Sequence, residues 1–230
     1  MLRQTAVLIC ALALGLAACG GDDDDSGDSK QPRGSASTDQ KPAGGCADVA
    51  QPGPKPDGGA KRPAQALDPG ATYDVVLKTS CGDITIRLDQ KASPKTAASF
   101  AGLAKAGFFD DTVFHRIVPG FVIQGGDPTA TGTGGPGYST RDVPPAGTTY
   151  EKGTVAMAKT QTEPPGTAGS QFYVVTAADA GLPPEYALLG KVVKGQDVVD
   201  AIGELGDPAS GEAGTPLQPV VIERATVRKS

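Results

Sequence analysis

Apolar and polar residues alternate along the chain from Tyr73 onward, and this pattern predicts a domain built mainly from β-strands. The first stretch, YDVVLKTSCGDITIRLD, alternates on both sides of a Cys-Gly-Asp turn, which is typical of a β-hairpin. Short apolar runs separated by glycine-containing turns predict further strands, which read TVFHRIV, FVIQGG, GTVAMAK, QFYVVT, ALLGKVV and VVIERATV.

Two other stretches carry apolar residues at helical spacing. In SPKTAASFAGLAKAG, Ser93 can cap a helix, Pro94 suits its first turn and Gly107 can end it. Late in the chain, GQDVVDAIGEL repeats the helical period. Strands dominate, the two helices lie far apart, and no strand–helix–strand alternation appears. We therefore expect a closed antiparallel β-barrel capped by two α-helices.

Residues 1–18 have a different pattern, in which one positive charge is followed by a continuous apolar run, and this pattern predicts a signal peptide. The run is too short for a permanent membrane helix. It ends in LAAC, which resembles the lipobox of bacterial lipoproteins, where the cysteine, here Cys19, carries the lipid. The alternative is an ordinary secretory signal cleaved after a small residue, and both predict export.

Residues 19–69 contain mostly glycine, proline, serine and charged residues and show no apolar period. Such a sequence cannot bury enough surface to offset its chain entropy, so we expect a disordered tether. The aspartate run at residues 22–25 lacks the spacing of an EF-hand loop, and we interpret it as a solvated acidic linker rather than a calcium site.

Charge and cysteine content narrow the function further. A formal net charge of -5 over 230 residues argues against a general nucleic-acid binder, which needs a basic face. Beyond the signal peptide and Cys19, Cys46 and Cys81 remain; they could form a disulfide in an oxidising compartment or stay as free thiols. Because the sequence holds no CxxC pair and only one histidine, we expect no metal site.

The stretch FHRIVPGFVIQGGDP, at residues 114–128, places a histidine, an arginine and a glutamine in a dense apolar run. It is followed in order by GTGG at 132–135, VAMAK at 155–159, GSQFYVVT at 169–176 and LLGKVVKGQDVVD at 188–200. Together these motifs resemble the cyclophilin-type peptidyl-prolyl isomerases, from about Tyr73 to Val227. The resemblance implies an isomerase domain over residues 70–230 whose barrel has eight antiparallel strands and two capping helices.

The chemistry of such an enzyme needs neither a nucleophile nor an acid–base pair. Resonance opposes rotation of the peptide bond by roughly 18–20 kcal/mol, so a catalyst must bind the twisted amide better than the planar forms. A fixed cation that donates a hydrogen bond to the pyramidal nitrogen favours the twist. The resemblance assigns this role to Arg116, places Phe121 in the proline cup, and gives Gln124 the task of orienting Arg116 or holding the substrate carbonyl.

The resemblance also implies which residues contact the substrate. Some would complete the apolar cup around the proline ring, and others would hold the flanking peptide in an extended form. The expected set is His115, Val122, Met157, Ala158, Lys159, Gln171, Tyr173, Leu182 and Tyr186. For Met157 the favoured place is nevertheless the core behind the cup, with the pocket wall as the alternative, and His115 is given no proton-transfer role.

Three cleft positions depart from the usual pattern of the family. Gly181 stands where many members carry a tryptophan, Tyr186 where a histidine is frequent, and Lys159 where an asparagine is common. The missing tryptophan leaves sensitivity to cyclosporin open, whereas the isomerase activity is less affected because the arginine and the phenylalanine are present.

We therefore expect a monomeric peptidyl-prolyl isomerase that needs no cofactor and acts on unfolded or flexible proline-containing polypeptides during the folding of exported proteins. A lipid on Cys19 would hold it at the outer face of the cytoplasmic membrane. The alternative is a module that binds proline segments, or a chaperone of the cell envelope, with incidental or no catalysis. A passive carrier of apolar ligands is disfavoured because Arg116 and Gln124 would lie in its pocket.

Overall fold

The computed structural model of the protein describes residues 45–230, and its fold is built around one curled antiparallel sheet. The predicted signal peptide, Cys19 and the tether up to residue 44 lie outside the described residues. The helices are α1 (Pro94–Lys105) and α2 (Gln196–Gly203), and a 3₁₀ segment covers Pro208–Ala213. The strands are β1 (Tyr73–Thr79), β2 (Gly82–Leu88), β3 (Thr112–Val113), β4 (Arg116–Val118), β5 (Val122–Gly125), β6 (Thr140–Arg141), β7 (Thr154–Met157), β8 (Thr167–Ala168), β9 (Phe172–Val175), β10 (Leu188–Lys194) and β11 (Val221–Lys229).

The main sheet contains nine strands in the order β3-β11-β1-β2-β10-β7-β9-β5-β4, and β6 pairs separately with β8. The predicted mainly-β class with two helices is confirmed, but the barrel is open rather than closed and has one strand more than expected. Strands β3 and β4 form its two edges because residues 114–115 leave the sheet between them. At the free edge of β4, the Ile117 amide donates a hydrogen bond to the Gly214 carbonyl at 2.7 Å instead of to another strand.

The inside of the sheet holds an apolar core in which four phenylalanines meet. Phe100 of α1 lies 4.6 Å from Phe109 and 5.3 Å from Phe172, ring centroid to centroid, and Phe114 lies 6.0 Å from Phe172. Aromatic pairs of this kind add about 0.5–1.5 kcal/mol beyond the area that they bury. Helix α1 thus closes one end of the barrel through the apolar face that the sequence predicted.

The start of α1 differs from the prediction in one detail. Ser93 occupies the N-cap position, but its hydroxyl makes no capping bond and is buried without a partner among the described residues. The Thr96 amide donates instead to the Asp142 carboxylate at 2.7 Å. A residue that is distant in sequence therefore satisfies a free amide of the first turn.

Residues 46–62, called the strap below, pack along the domain although the sequence predicted a disordered tether up to residue 69. Cys46 and Cys81 form a disulfide, which decides between the two alternatives left open above. The Lys55 ammonium donates to the carbonyls of Gly107, Phe108 and Asp110 at 2.8–3.1 Å. The prediction missed this segment because polar and backbone contacts hold it, and these leave no apolar period.

The strap continues beside residues 132–139. The Gly58 amide donates to the Gly135 carbonyl at 2.9 Å, and the Ala60 amide donates to the Pro136 carbonyl at 3.1 Å. Arg62 donates to the Ser139 carbonyl at 2.7 Å and stacks over the Tyr138 ring. The strap therefore supports a loop of the folded domain, and the domain boundary moves from residue 70 to the start of the strap.

Within residues 45–230, neither α-helix nor the 3₁₀ segment combines the length and the apolar character that a membrane span requires.

Candidate active site

Neighbouring strands place Arg116, Gln124 and Tyr173 in one row across the outer face of the sheet. Arg116 on β4 is the direct partner of Gln124 on β5, and Gln124 is the partner of Tyr173 on β9. Successive residues of a strand point to opposite faces of the sheet. The sequence neighbours of this row therefore point into the barrel and join its core; these are Ile117, Ile123 and Val174. The stretch around Arg116 and Gln124 thus supplies polar side chains to the outer face of the sheet and apolar side chains to the core.

The two glycines after Gln124 let the chain leave β5 sharply. Gly126 has φ +84°, and a Cβ atom there would collide with the Ser170 carbonyl oxygen. Only glycine suits this combination of backbone angle and close approach. The turn leads directly into the loop that surrounds Asp127.

A cleft of about 530 Å³ opens beside this row. Its apolar walls come from Phe121, Val122, Tyr173 and Leu182, with Arg116 and Gln124 at one side. Behind the walls, Val122 and Tyr173 belong to a small second core that also holds Tyr150 and Val175. The remaining lining residues are Val118, Ala158, Lys159, Gln161, Tyr186 and Glu212.

A chain of hydrogen bonds fixes the polar side of the cleft. The Arg116 Nε donates to the Glu212 carbonyl at 2.9 Å, and its Nη1 donates to the Gln124 Oε1 at 3.3 Å. The Gln124 Nε2 donates to the Gln171 Oε1 at 3.0 Å. The Gln171 Nε2 donates to the carbonyls of Gly132 and Gly134 at 2.9 and 3.0 Å. The bonds thus assign the orientation of both amides.

Arg116 keeps its charge and most of its donors in this arrangement. Burial lowers the pKa of its guanidinium while Glu212 and Tyr186 oppose the shift, and an arginine stays protonated in proteins. Of its five N–H donors, those on Nε and one on Nη1 are used by the described residues. The others are free to meet a ligand in the cleft.

The Asp127 carboxylate organises the loop that receives Gln171. The residue is fully buried and accepts hydrogen bonds from the Thr129 amide and hydroxyl and from the amides of Thr131, Gly132 and Gly134. Burial acts to raise the pKa of Asp127, but these hydrogen bonds outweigh it and hold the pKa below its usual value. The ionised carboxylate thereby sets the positions of the two carbonyls that hold Gln171.

A second hollow, called the groove below, adjoins the cleft and has a volume of about 380 Å³. The cleft and the groove share Gln124, Ala158 and Lys159 as lining residues. The opposite side of the groove is formed by residues 132–139 and by Asp57 of the strap.

Lys159 forms the ridge between the cleft and the groove. Its side chain is only 2% exposed, and its ammonium lies 3.0 Å from the Glu185 carboxylate. It also donates to the carbonyls of Thr160 and Glu163, each at 3.3 Å. The lysine is therefore fully engaged by the protein and ties two rim loops together.

The structure brings most of the predicted site residues to the cleft or the groove, with two exceptions. Met157 lies in the barrel core, 1% exposed, and contributes to neither hollow, so its inclusion among the substrate contacts is corrected. It points inward, whereas Ala156 on the same strand and Ala158, just after the strand ends, pack on the cleft side.

His115 also lines neither hollow and lies against the loop at Gly132. Burial lowers the pKa of its imidazole. Gln171 and the Val113 backbone lie close enough to favour protonation, yet neither ring nitrogen has a hydrogen bond of standard geometry to a described residue. No group of histidine, cysteine or acidic side chains suited to a metal occurs within residues 45–230.

Several lining residues were missed by the sequence analysis. Val118 could have been found from its two-residue spacing to Arg116, which puts both on one face of β4. Glu212 meets Arg116 across 96 residues of sequence, and Asp57 arrives through the strap. Nothing local in the sequence signals either contact.

Comparison with known proteins decides the family. The profile of the family described as "Cyclophilin type peptidyl-prolyl cis-trans isomerase/CLD" matches residues 74–227. The chain belongs to the cyclophilin family. This cyclophilin is 38% identical over 177 residues to peptidyl-prolyl cis-trans isomerase A of Mycobacterium tuberculosis, covering 69% of this chain and 94% of that protein. It is 40% identical over 170 residues to peptidyl-prolyl cis-trans isomerase B of Streptomyces anulatus, covering 66% and 94%.

Solved structures agree with the sequence relatives. This cyclophilin matches a cyclophilin-type isomerase of Cryptosporidium parvum with a TM-score of 0.61 and 29% identity, over 68% of this chain and 98% of the other. A second structure of that protein, in the presence of the dipeptide Ala-Pro, matches with a TM-score of 0.60. This cyclophilin is accordingly an enzyme, a peptidyl-prolyl cis-trans isomerase.

Proposed function

We propose that this cyclophilin isomerises X–Pro bonds in the cleft by stabilising the twisted amide with Arg116. The main observation that supports this mechanism is the position of the Arg116 guanidinium. It is charged, half-buried and has unused N–H donors, and it lies at the side of the apolar cup. The structure of the Cryptosporidium relative in the presence of Ala-Pro supports a proline-containing peptide as the occupant.

The proposed mechanism is one of differential binding. The apolar walls hold the proline ring, and the groove holds the flanking peptide, so that rotation is confined to the bond between them. As the amide twists, its nitrogen loses resonance and gains a lone pair. A guanidinium N–H that meets this lone pair stabilises the twisted state more than either planar state, and each 1.36 kcal/mol of such difference raises the rate tenfold.

Gln124 and Gln171 act through position rather than contact with the reacting atoms. Gln124 restrains the Arg116 side chain on the side opposite Glu212, and Gln171 restrains Gln124. A charged donor that is already held in place does not have to reorganise when the amide twists. This preorganisation is what the hydrogen-bond chain adds to the charge itself.

The proposed setting is the folding of exported proteins, with unfolded or flexible proline-containing chains as substrates. The predicted signal peptide and the Cys19 lipobox support attachment of a monomer at the outer face of the cytoplasmic membrane. The Cys46–Cys81 disulfide is in keeping with an oxidising compartment.

The test compares full-length protein with its Arg116→Ala and Arg116→Lys variants on a short X–Pro peptide by magnetisation-exchange NMR. We expect kcat/KM to fall about 10²- to 10³-fold in Arg116→Ala, as for loss of one preorganised donor, and to recover only in part with lysine, which lacks the planar fork. Arg87→Ala, which removes an exposed arginine paired with Asp74, is the control and should leave the rate unchanged.

Circular dichroism would establish that each variant is folded. A folded Arg116→Ala protein with the wild-type rate would contradict the arginine mechanism while leaving the isomerase intact. A wild-type protein that binds the peptide without accelerating exchange would instead favour a proline-binding module.

A further inference from the structure

We propose that the strap makes the groove selective for substrates that carry a basic side chain near the proline, with Asp57 as the specificity-determining residue. The inference rests on the proposed function, since it assumes that the substrate peptide extends from the cleft into the groove.

Asp57 is exposed, but its position is fixed. Its Oδ1 accepts a hydrogen bond from the Gly135 amide at 2.9 Å, while the amide of the next residue, Gly58, donates back to the Gly135 carbonyl at 2.9 Å. Two residues earlier, Lys55 is anchored by three carbonyls and by its own amide, which donates to Pro128. The carboxylate therefore lines the groove at a constant place rather than on a loose chain.

The charges around the groove do not cancel. Asp57 and Glu163 are the acidic residues among those that line it, and Lys159 is the basic one. The Lys159 ammonium is already paired with Glu185 and is almost fully buried, so it is not available to balance them. The groove consequently presents a net negative charge to a peptide.

Each of the two carboxylates has one oxygen that accepts no hydrogen bond from residues 45–230, but Asp57 accepts fewer hydrogen bonds in all. One oxygen of Glu163 accepts hydrogen bonds from both the amide and the hydroxyl of Thr160, which ties it to its own loop. The Asp57 Oδ2 accepts no hydrogen bond from any residue in the range 45–230. A cationic side chain in the groove can therefore pair with this oxygen of Asp57.

The groove lies within reach of residues next to the proline. It adjoins the cleft, and Gln124, Ala158 and Lys159 line both hollows. An extended peptide advances about 3.3 Å per residue, so a side chain two or three residues from the proline arrives in the groove. The long stems of lysine and arginine can then carry their charge to the rim where Asp57 lies.

The expected preference is modest, because Asp57 is exposed and its charge is screened by salt. Exposed ion pairs typically contribute about 0.2–1 kcal/mol, which corresponds to a preference of roughly 1.5- to fivefold. An effect of this size is easily measured as a ratio of rates for two peptides that differ at one position.

The experiment uses full-length protein and four X–Pro peptides. They carry either lysine or norleucine, placed two residues before the proline in one pair and two residues after it in the other. The variant Asp57→Asn keeps an oxygen for the Gly135 amide and removes the charge. The matched control Asp48→Asn removes an exposed charge from the same strap, outside the groove.

We expect wild-type protein and Asp48→Asn to favour lysine over norleucine in at least one pair, by about two- to fivefold in kcat/KM at low salt. The ratio should approach one in Asp57→Asn, and in wild-type protein at high salt. In Asp57→Asn the loss should fall on the lysine peptides far more than on the norleucine peptides, which separates loss of selectivity from general damage to the strap.

Equal rates for lysine and norleucine peptides in wild-type protein, with normal isomerisation of both, would overturn the role of Asp57 and leave the proposed function standing. A preference that survives in Asp57→Asn would overturn it too, and so would a parallel loss on both peptides. Absence of turnover on every peptide would point instead to failure of the proposed function.

Discussion

At the scale of single residues, the small core behind the cleft holds two tyrosines whose hydroxyls differ in hydrogen bonding. The Tyr150 hydroxyl donates to the Tyr186 carbonyl at 2.7 Å and accepts from the Tyr186 amide at 3.0 Å. The Tyr173 hydroxyl is buried and has no partner among residues 45–230. Burial raises the pKa of Tyr150 to about 12 and raises that of Tyr173 further, so both remain neutral phenols.

This contrast predicts opposite effects of the same substitution. Tyr173→Phe removes an unsatisfied buried hydroxyl and should raise the free energy of unfolding by about 1–3 kcal/mol. Tyr150→Phe removes a satisfied one and should lower it by about 1 kcal/mol or more. Urea denaturation of both variants measures the difference. Destabilisation by Tyr173→Phe would contradict the picture, since it would mean that the hydroxyl is satisfied.

The residues that line the cleft were predictable to the extent that they sit in contiguous motifs. Arg116, Phe121 and Gln124 come from one stretch whose two-residue alternation already separates the cleft face from the core face. Met157 lies in the core behind the cup, the place favoured from the sequence, and only its inclusion among the substrate contacts was wrong. Glu212 and Asp57 reach the site through long-range folding, and no spacing in the sequence encodes that.

At the scale of elements, the loop that follows β5 depends on one ionised carboxylate. The pKa of Asp127 in the folded protein lies below its unfolded value, which is about 3.9. A depressed pKa means that the carboxylate stabilises the fold above the unfolded pKa. This contribution is lost as the pH falls through the folded-state pKa.

We therefore expect Asp127→Asn to lower the free energy of unfolding at pH 7 by about 1–3 kcal/mol, because its amide nitrogen faces N–H donors. The gap between wild type and variant should shrink as the pH is lowered to 3 and below, where wild type loses its own contribution. Denaturation across pH 2.5–7 measures the gap, with Asp48→Asn as the exposed control. A gap that stays constant over this range would contradict the role given to Asp127.

Elements held by apolar burial were predictable, and elements held by other contacts were not. The β1–β2 hairpin and both α-helices follow from the hydrophobic period, which reports which side chains are buried. The strap adheres through backbone hydrogen bonds and the Lys55 ammonium, which leave no such period. At the edge of the open barrel, the Ile117 amide likewise bonds to Gly214, a partner that the β4 sequence cannot specify.

At the scale of the whole molecule, the family match over residues 74–227 accounts for the isomerase domain but not for what precedes it. The strap lies outside the matched range, so the family match does not account for its contact with the groove. The segment before it carries the predicted export signal and lipidation site.

That arrangement predicts where the protein resides. In cell fractionation we expect wild-type protein to partition with the membranes and Cys19→Ser to be released from them, since a lipid chain contributes about 0.8 kcal/mol of membrane affinity per buried CH₂ group. Cys10→Ser, a change inside the apolar run, is the control and should stay with the membranes. Release of the wild-type protein, or retention of Cys19→Ser, would favour an ordinary secretory signal or another anchor.

The Cys46–Cys81 bridge would have a mechanical consequence if the protein is anchored through Cys19 as predicted. The two cysteines are 35 residues apart, and Cys81 lies in the turn between β1 and β2. Tension applied to the chain ahead of Cys46 therefore passes through the sulfur atoms into a hairpin that is braced by β10 and β11 on either side. The strap lies within the covalent loop that the disulfide closes, so the short path through the sulfur atoms relieves it of most of this tension and protects its contacts with residues 132–139.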